Sequence, residues 1–138
     1  ELWYWFAEGM GVSRDDMAAT KYCAGALALH AYFSNICGRD FLDGVAAHML
    51  AGEALVPGYY ARLAESLRTT FDLDDKGVAF FVIHDVADED HSGIGRRILE
   101  DFATSEKDLE RVLEVVKEMS SVMALQNADT WRAMQDAA

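Results

Sequence analysis

Apolar residues recur along this chain at the three- and four-residue spacing of an α-helix, in long segments separated by short polar breaks. Val/Ile-rich alternating stretches bounded by turn dipeptides, the usual sign of strands, are absent. Pro57 is the only proline, so little in the composition would interrupt long helices. The pattern therefore predicts an all-α fold.

Capping and helix-breaking residues set the expected helix boundaries. Ser13 followed by Asp15 and Asp16 is a typical helix start, because a hydroxyl caps the end and acids favour the positive end of the helix dipole. Pro57 and Gly58 separate two helices. The predicted helices cover residues 1–10, 13–37, 41–55, 59–71, 74–103 and, after a cap at 104–108, the chain to about residue 135.

The Ala-rich helix over residues 13–37 is apolar on nearly all sides, which is typical of a buried central helix. Cys23 and Cys37 lie in it about 21 Å apart at about 1.5 Å per residue, too far for a disulfide. We therefore expect two buried free thiols, in keeping with a reducing cytoplasm. No linker or internal repeat is visible, so residues 1–138 are expected to form a single helical domain.

The chain is strongly acidic, which narrows the classes of partner. Its 138 residues include 12 Lys/Arg and 24 Asp/Glu, a formal net charge of −12. This charge repels phosphate backbones, and no basic cluster suggests an anionic membrane surface. No apolar run approaches the roughly 20 residues of a membrane span, and no signal-peptide pattern is visible. We expect a cytoplasmic protein that binds a small molecule and neither nucleic acid nor membrane; a homodimer is compatible with the sequence.

The segment "VIHDVADEDH", residues 82–91, carries the clearest chemical signal. On a helix, Asp88 lies about 40° to one side of His84, and His91 lies about 20° to the other side. Three potential ligands thus point together toward a dry interior, and imidazole with carboxylate suits iron, manganese or zinc. A lone histidine is more often a core residue, but the shared spacing favours a metal site.

The neighbours of this segment support the same interpretation. Gly93 and Gly95 are small enough to let another helix or a ligand approach closely. The remaining acids lie off the ligand face and are expected to be solvated: Asp85, Glu89 and Asp90.

A fourth ligand is expected from another helix. Glu53 lies in "AAHMLAGEALVP", where burying a carboxylate is costly unless it is paired or bound to a metal. An ion pair with an arginine, or exposure near Pro57, would also explain it. His48 is five residues earlier, about 140° away on an α-helix, and is expected to point elsewhere. His30 is expected to be a hydrogen-bonded core histidine.

Together these residues resemble the heme-oxygenase-like di-metal oxidases, relatives of the TenA and PqqC proteins. The resemblance rests on His-x-x-x-Asp-x-x-His, on Ala-Gly-Glu-Ala-x-x-Pro, and on the segments "GYYARLAESLRTTFDLDDKGVAFFVIHDVADEDH" and "NADTWRAMQ". It implies a heme-oxygenase-like helical bundle with Glu53, His84, Asp88 and His91 as metal ligands. It also implies a first core helix with two further ligands, expected upstream of Glu1.

The function that this resemblance implies is an oxidase or oxygenase that activates O2 with Fe(II), in a centre of two irons. O2 is then the co-substrate, and the substrate is a small molecule of a biosynthetic pathway. Two alternatives remain open. One is a metal-free TenA- or PqqC-like enzyme, for example a hydrolase with Cys23 or Cys37 as its nucleophile. The other is a non-catalytic helical partner protein.

Overall fold

A computed structural model describes residues 1–136, and every regular element within them is helical. In chain order they are α1 (Leu2–Gly9), α2 (Arg14–Ala19), α3 (Ala24–Arg39), α4 (Phe41–Val45), a π-helix (Ala46–Gly52), α5 (Tyr59–Phe71), α6 (Ala79–Phe102) and α7 (Glu106–Asp136). The predicted all-α class is confirmed. Within residues 1–136, none of these helices is both long enough and apolar enough to cross a lipid bilayer.

The predicted capping residues start two of the helices. Ser13 Oγ accepts a hydrogen bond from the Asp16 N–H at 3.1 Å, and Asp16 Oδ2 accepts one from the Ser13 N–H at 3.3 Å. Ser105 and Asp108 make the same reciprocal pair at the start of α7, at 3.1 and 3.0 Å. Each pair satisfies two backbone donors that the first turn would leave without partners.

The chain divides into two compact units, of which the first comprises Glu1–Lys21 and Leu55–Asp90. It contains α1, α2, α5 and the first half of α6. The Phe6 ring of α1 packs edge-on against the Phe81 ring of α6, with ring centroids 5.1 Å apart. This core holds the first half of α6 in place. Its buried members are Ala64, Leu67, Leu73, Val78 and Phe81.

The second unit contains α3, α4, the π-helix, α7 and the part of α6 from His91 onward. Its core is formed by Ile36, Ala46, Ala47, Ala51, Val115 and Met119. Asp43 of α4 is fully buried and binds Arg111 of α7 through both carboxylate oxygens, each at 2.7 Å. This ion pair anchors α4 on α7, and the π-helix begins directly after α4.

One predicted helix, over residues 13–37, is two helices in the structure. Thr20 is extended, with φ −65° and ψ 132°, so α2 and α3 are separate. Asp129 of α7 accepts a 2.7 Å hydrogen bond from the Gly25 N–H, and a Cβ on Gly25 would lie 2.8 Å from the Gln126 Cα. The prediction of one continuous helix is wrong because α7 approaches here and caps a new helix, which overrides the Ala-rich helical pattern.

α3 is also less buried than its composition predicts. Gly25 and Ile36 are its buried residues, whereas Leu27 is 56% exposed. α7 and α4 pack against α3 but cover only part of its surface. Both thiols are free, as expected, but Cys23 is only partly buried and Cys37 is exposed, so the prediction of buried thiols is wrong.

Two further boundaries differ from the predictions. The segment 41–55 is a short α-helix that continues as a π-helix and ends at Gly52. α6 begins at Ala79 rather than at residue 74, because Asp74 Oδ1 accepts a 2.8 Å hydrogen bond from the Gly77 N–H and closes a turn. The π-helix changes the candidate site, because it contains His48 and directly precedes Glu53.

Candidate metal centre

The π-helix places His48 and Glu53 on one face. The Glu53 N–H donates to the His48 carbonyl at 3.0 Å, a hydrogen bond between residues five apart. At about 4.4 residues per turn, this register leaves the two side chains roughly 50° apart. His48 Nε2 accordingly lies 3.3 Å from Glu53 Oε1. The prediction that His48 points away from Glu53 is wrong, because it assumed an α-helical register.

The Glu53 carboxylate lies between two imidazoles of the second unit. Its Oε2 is 3.4 Å from His91 Nδ1, while its Oε1 faces His48. The Glu53 side chain is 15% exposed, so the alternative of exposure near Pro57 is wrong. Among the described residues, buried Oε2 accepts no hydrogen bond. A carboxylate in this position is costly unless a cation or a protonated imidazole neutralises it.

Three of the four predicted ligands lie on α6, which is unbroken from Ala79 to Phe102. Asp88 is one turn before His91 and is 3% exposed. His84 is a further turn earlier and is half-buried. The expectation of a dry environment therefore fits Asp88, but it is wrong for His91, whose side chain is 46% exposed.

The His84 ring is held by the residue one turn before it. Its Nδ1 lies 2.8 Å from the Phe80 carbonyl oxygen, and its ring stacks on the Phe80 ring with centroids 4.2 Å apart. When Nδ1 carries the proton and donates to this carbonyl, Nε2 keeps its lone pair. Metal-binding histidines typically hold their second ring nitrogen in this way.

Close packing at Gly95 brings α6 onto the π-helix. A Cβ on Gly95 would lie 2.6 Å from the Met49 Cβ, well inside normal contact distance. The same segments carry Glu53 and His91, so their 3.4 Å approach depends on the missing side chain. The expectation that a small residue here lets another helix approach is confirmed for Gly95. At Gly93 only the ends of arginine side chains come near.

Asp85 has a structural role that the sequence pattern does not reveal. Its Oδ1 accepts hydrogen bonds from the backbone N–H of Gly58 at 2.8 Å and of Ala61 at 2.9 Å. Gly58 caps the start of α5, so a carboxylate from α6 satisfies the first turn of a helix distant in sequence. The prediction of a solvated Asp85 is wrong, because such caps depend on tertiary packing.

A groove of about 330 Å³ opens beside His48. The Phe33 ring meets the His48 ring at a steep angle, 70°, with centroids 5.6 Å apart. Most of the lining is apolar, which suits a small organic molecule. The lining residues are Phe33, Cys37, Asp40, Phe41, Gly44, Val45, His48 and Met49.

Cys37 is poorly suited to act as a nucleophile. Although the residue is exposed overall, neighbouring atoms partly shield its sulfur from water and raise the pKa of the thiol, which lowers the fraction of reactive thiolate at neutral pH. Cys23 caps the start of α3, and its Sγ contacts the Thr130 hydroxyl at 3.8 Å. Neither cysteine therefore favours the thiol-based hydrolase alternative.

The residues around Glu53 fit a metal ion. Two ligand atoms about 2.1 Å from one ion, at tetrahedral or octahedral angles, are about 3.0–3.4 Å apart. The imidazole–carboxylate separations of 3.3 and 3.4 Å lie within that range. Charge-assisted hydrogen bonds are usually shorter, about 2.7–2.9 Å. Carboxylate and imidazole are also ligand types that iron accepts in proteins.

Comparison with known proteins gives the family of the chain. A family model described as "Iron-containing redox enzyme" matches residues 1–123. A similar curated protein is a 4-aminobenzoate synthase of Chlamydia pneumoniae, 25% identical over 100 residues, which are 72% of this chain and 45% of that protein. The chain thus spans less than half the length of this relative. No solved structure matches the chain significantly.

Proposed function

The chain belongs to the family of iron-containing redox enzymes, and from that premise we propose that it is a non-heme oxidase or oxygenase that activates O2. We assign Glu53, His84, Asp88 and His91 as iron ligands, in a centre that holds two irons. The substrate is a small molecule of a biosynthetic pathway. Iron bound there would supply the electrons and the open coordination positions that O2 activation requires.

The observation that carries this proposal is the state of Glu53. Its carboxylate is largely buried and faces imidazole nitrogens at 3.3 and 3.4 Å, and Oε2 accepts no hydrogen bond within residues 1–136. A bound cation would compensate the buried negative charge. On α6, Asp88 and His91 have the acid-x-x-His spacing that helical metalloproteins use for two-metal sites.

The residues of the site have different tasks in this proposal. Glu53 and His91 bind metal from two segments of the second unit. His84, oriented by the Phe80 carbonyl and ring, offers Nε2. The groove beside His48 would receive the substrate, and the rings of Phe33 and Phe41 in its wall offer it apolar contacts.

The name of this relative supports the biosynthetic part of the proposal. That protein is named as a synthase of 4-aminobenzoate, a small aromatic molecule. The groove in this chain has a mainly apolar lining that includes two phenyl rings, which suits a substrate of similar size.

Iron loading tests the proposal. Protein loaded with Fe(II) without oxygen should bind iron stoichiometrically and consume O2 on exposure to air. Glu53→Gln, His84→Ala and Asp88→Asn should each lower the iron content much more than the helicity measured by circular dichroism. Asp90→Asn is a matched control, because Asp90 is exposed and points away from the ligand face of α6.

Two results would refute the proposal. Equal iron content in the parent and in the Asp88→Asn and Glu53→Gln variants would show that these carboxylates do not bind iron. A parent protein that folds but binds no iron would instead favour the metal-free or non-catalytic alternatives.

A further inference from the structure

We propose that His48 is a further metal-binding residue of this centre, brought to the ion by the π-helix together with Glu53. The inference rests on the proposed function, because it requires a metal at Glu53. It adds a histidine from the second unit to the ligands carried by α6.

The π-helix is the first reason. Hydrogen bonds between residues five apart are rare in proteins and occur frequently at functional sites. Here the π-helix spans seven residues, Ala46–Gly52, and the Glu53 N–H continues its pattern by bonding to the His48 carbonyl. An α-helical register would turn the two side chains apart, so the unusual backbone is what brings His48 to the carboxylate.

The arrangement around Glu53 is the second reason. Each of its two oxygens faces one imidazole nitrogen, Nε2 of His48 at 3.3 Å and Nδ1 of His91 at 3.4 Å. His48 thus stands in the same relation to the carboxylate as His91, which is an assigned ligand. Both histidine side chains are about half exposed, so an ion could reach both nitrogens from solvent.

The aromatic contact on His48 is the third reason. The Phe33 ring packs against the imidazole with centroids 5.6 Å apart and restricts its rotation. His48 also lines the groove proposed for the substrate. A metal ion bound to His48 would therefore lie at the edge of that groove.

A simple ion pair between protonated His48 and Glu53 is the competing explanation, and it predicts different behaviour. In such a pair the half-exposed His48 would only balance the charge of the largely buried Glu53, so its loss would leave the metal-binding atoms in place and metal binding unchanged. His48→Gln removes the imidazole but keeps a hydrogen-bond donor for Glu53. If His48 is a ligand, this variant should bind Co(II) at least about 10-fold more weakly, with an unchanged free energy of unfolding without metal.

A spectroscopic experiment tests ligation directly. His48→Cys is made in a Cys23→Ser/Cys37→Ser background, so that no native thiol contributes. Co(II) is then added to the metal-free protein, and the absorption spectrum is recorded. Cobalt–thiolate bonds produce an intense charge-transfer absorption that imidazole and carboxylate ligands do not. His30→Cys in the same background is the control, because His30 lies on α3 in the same unit and has no assigned role at the centre.

The expected result is a charge-transfer absorption for His48→Cys and none for His30→Cys, with a weaker Co(II) affinity for His48→Gln. The inference is overturned if His48→Cys shows no such absorption and His48→Gln binds Co(II) as tightly as its parent does. That result would leave the proposed function intact, since the parent would still bind metal. A parent that binds neither Co(II) nor Fe(II) would overturn the proposed function, and this inference with it.

Discussion

The close contact between α6 and the π-helix gives the sharpest stability prediction. Replacing Gly95 with Ala would place a Cβ 2.6 Å from the Met49 Cβ, whereas ordinary contacts are 3.4–4 Å. The two backbones must therefore separate by about 0.8 Å. The Met49 Cβ is attached to the backbone, so no side-chain rotation can relieve the clash.

The magnitude follows from two opposing effects. Overpacking of a well-packed core costs about 1–3 kcal/mol, and this site should lie near the upper value because the clash involves no flexible atom. Against this, alanine has a higher helix propensity than glycine, which stabilises the fold by about 1 kcal/mol. Gly95→Ala should therefore lower the free energy of unfolding by about 2 kcal/mol. The substitution should also weaken metal binding, because the separation of α6 from the π-helix moves His91 away from Glu53.

Urea unfolding followed by circular dichroism measures this change. Gly38→Ala is the matched control: Gly38 also lies in a helix, and no atom lies within 4 Å of its added Cβ. The control should gain stability, by about 0.5 kcal/mol, because Gly38 lies in the last turn of α3, where helix propensity counts for less than in the interior. Met49→Ala keeps the clashing Cβ, so it should not restore the stability of Gly95→Ala. Met49→Gly removes that Cβ, so the double variant should lose less stability than the sum of the two single losses. A Gly95→Ala protein as stable as its parent would refute the packing argument.

Three further predictions concern other parts of the chain. Asp43→Asn should cost about 1.5–3 kcal/mol of unfolding free energy, because the buried carboxylate loses the charge that strengthens its hydrogen bonds with Arg111 and Arg39, although both arginines reach solvent and keep their hydration. A loss below about 0.5 kcal/mol would contradict this. Asp85→Ala should lower the free energy of unfolding by about 1 kcal/mol, because α5 loses the carboxylate that caps its first turn. Asp90→Ala, the control, should lower it by less than about 0.5 kcal/mol, and equal effects of the two substitutions would argue against the cap. Burial and the hydrogen bond to Glu118 raise the pKa of Tyr32 to about 12, so its contribution to stability should be complete below pH 10 and lost as the pH rises through 12. Tyr32→Phe should lack that loss. Because the chain has five tyrosines, the titration of Tyr32 is taken from the difference in tyrosinate absorbance between the parent and Tyr32→Phe, and a difference centred near pH 10 would refute the shift.

The sequence by itself determined the helical class, most helix boundaries and which side chains share one face of α6. These features depend on interactions between residues three or four apart, such as the capping pair of Ser105 and Asp108 or the spacing of Asp88 and His91. Such interactions can be read from one stretch of chain. The family resemblance followed from the same spacing, with Glu53 as the added carboxylate.

Only the tertiary structure decided the features that depend on contacts between distant segments. Asp129 of α7 caps α3 and divides one predicted helix into two, and Asp85 of α6 caps α5. The π-helix turns His48 toward Glu53, although the α-helical spacing of the sequence separates them. In each case a backbone or side-chain group finds its partner on another helix, and the energy of that contact exceeds the small local preference that sequence patterns report.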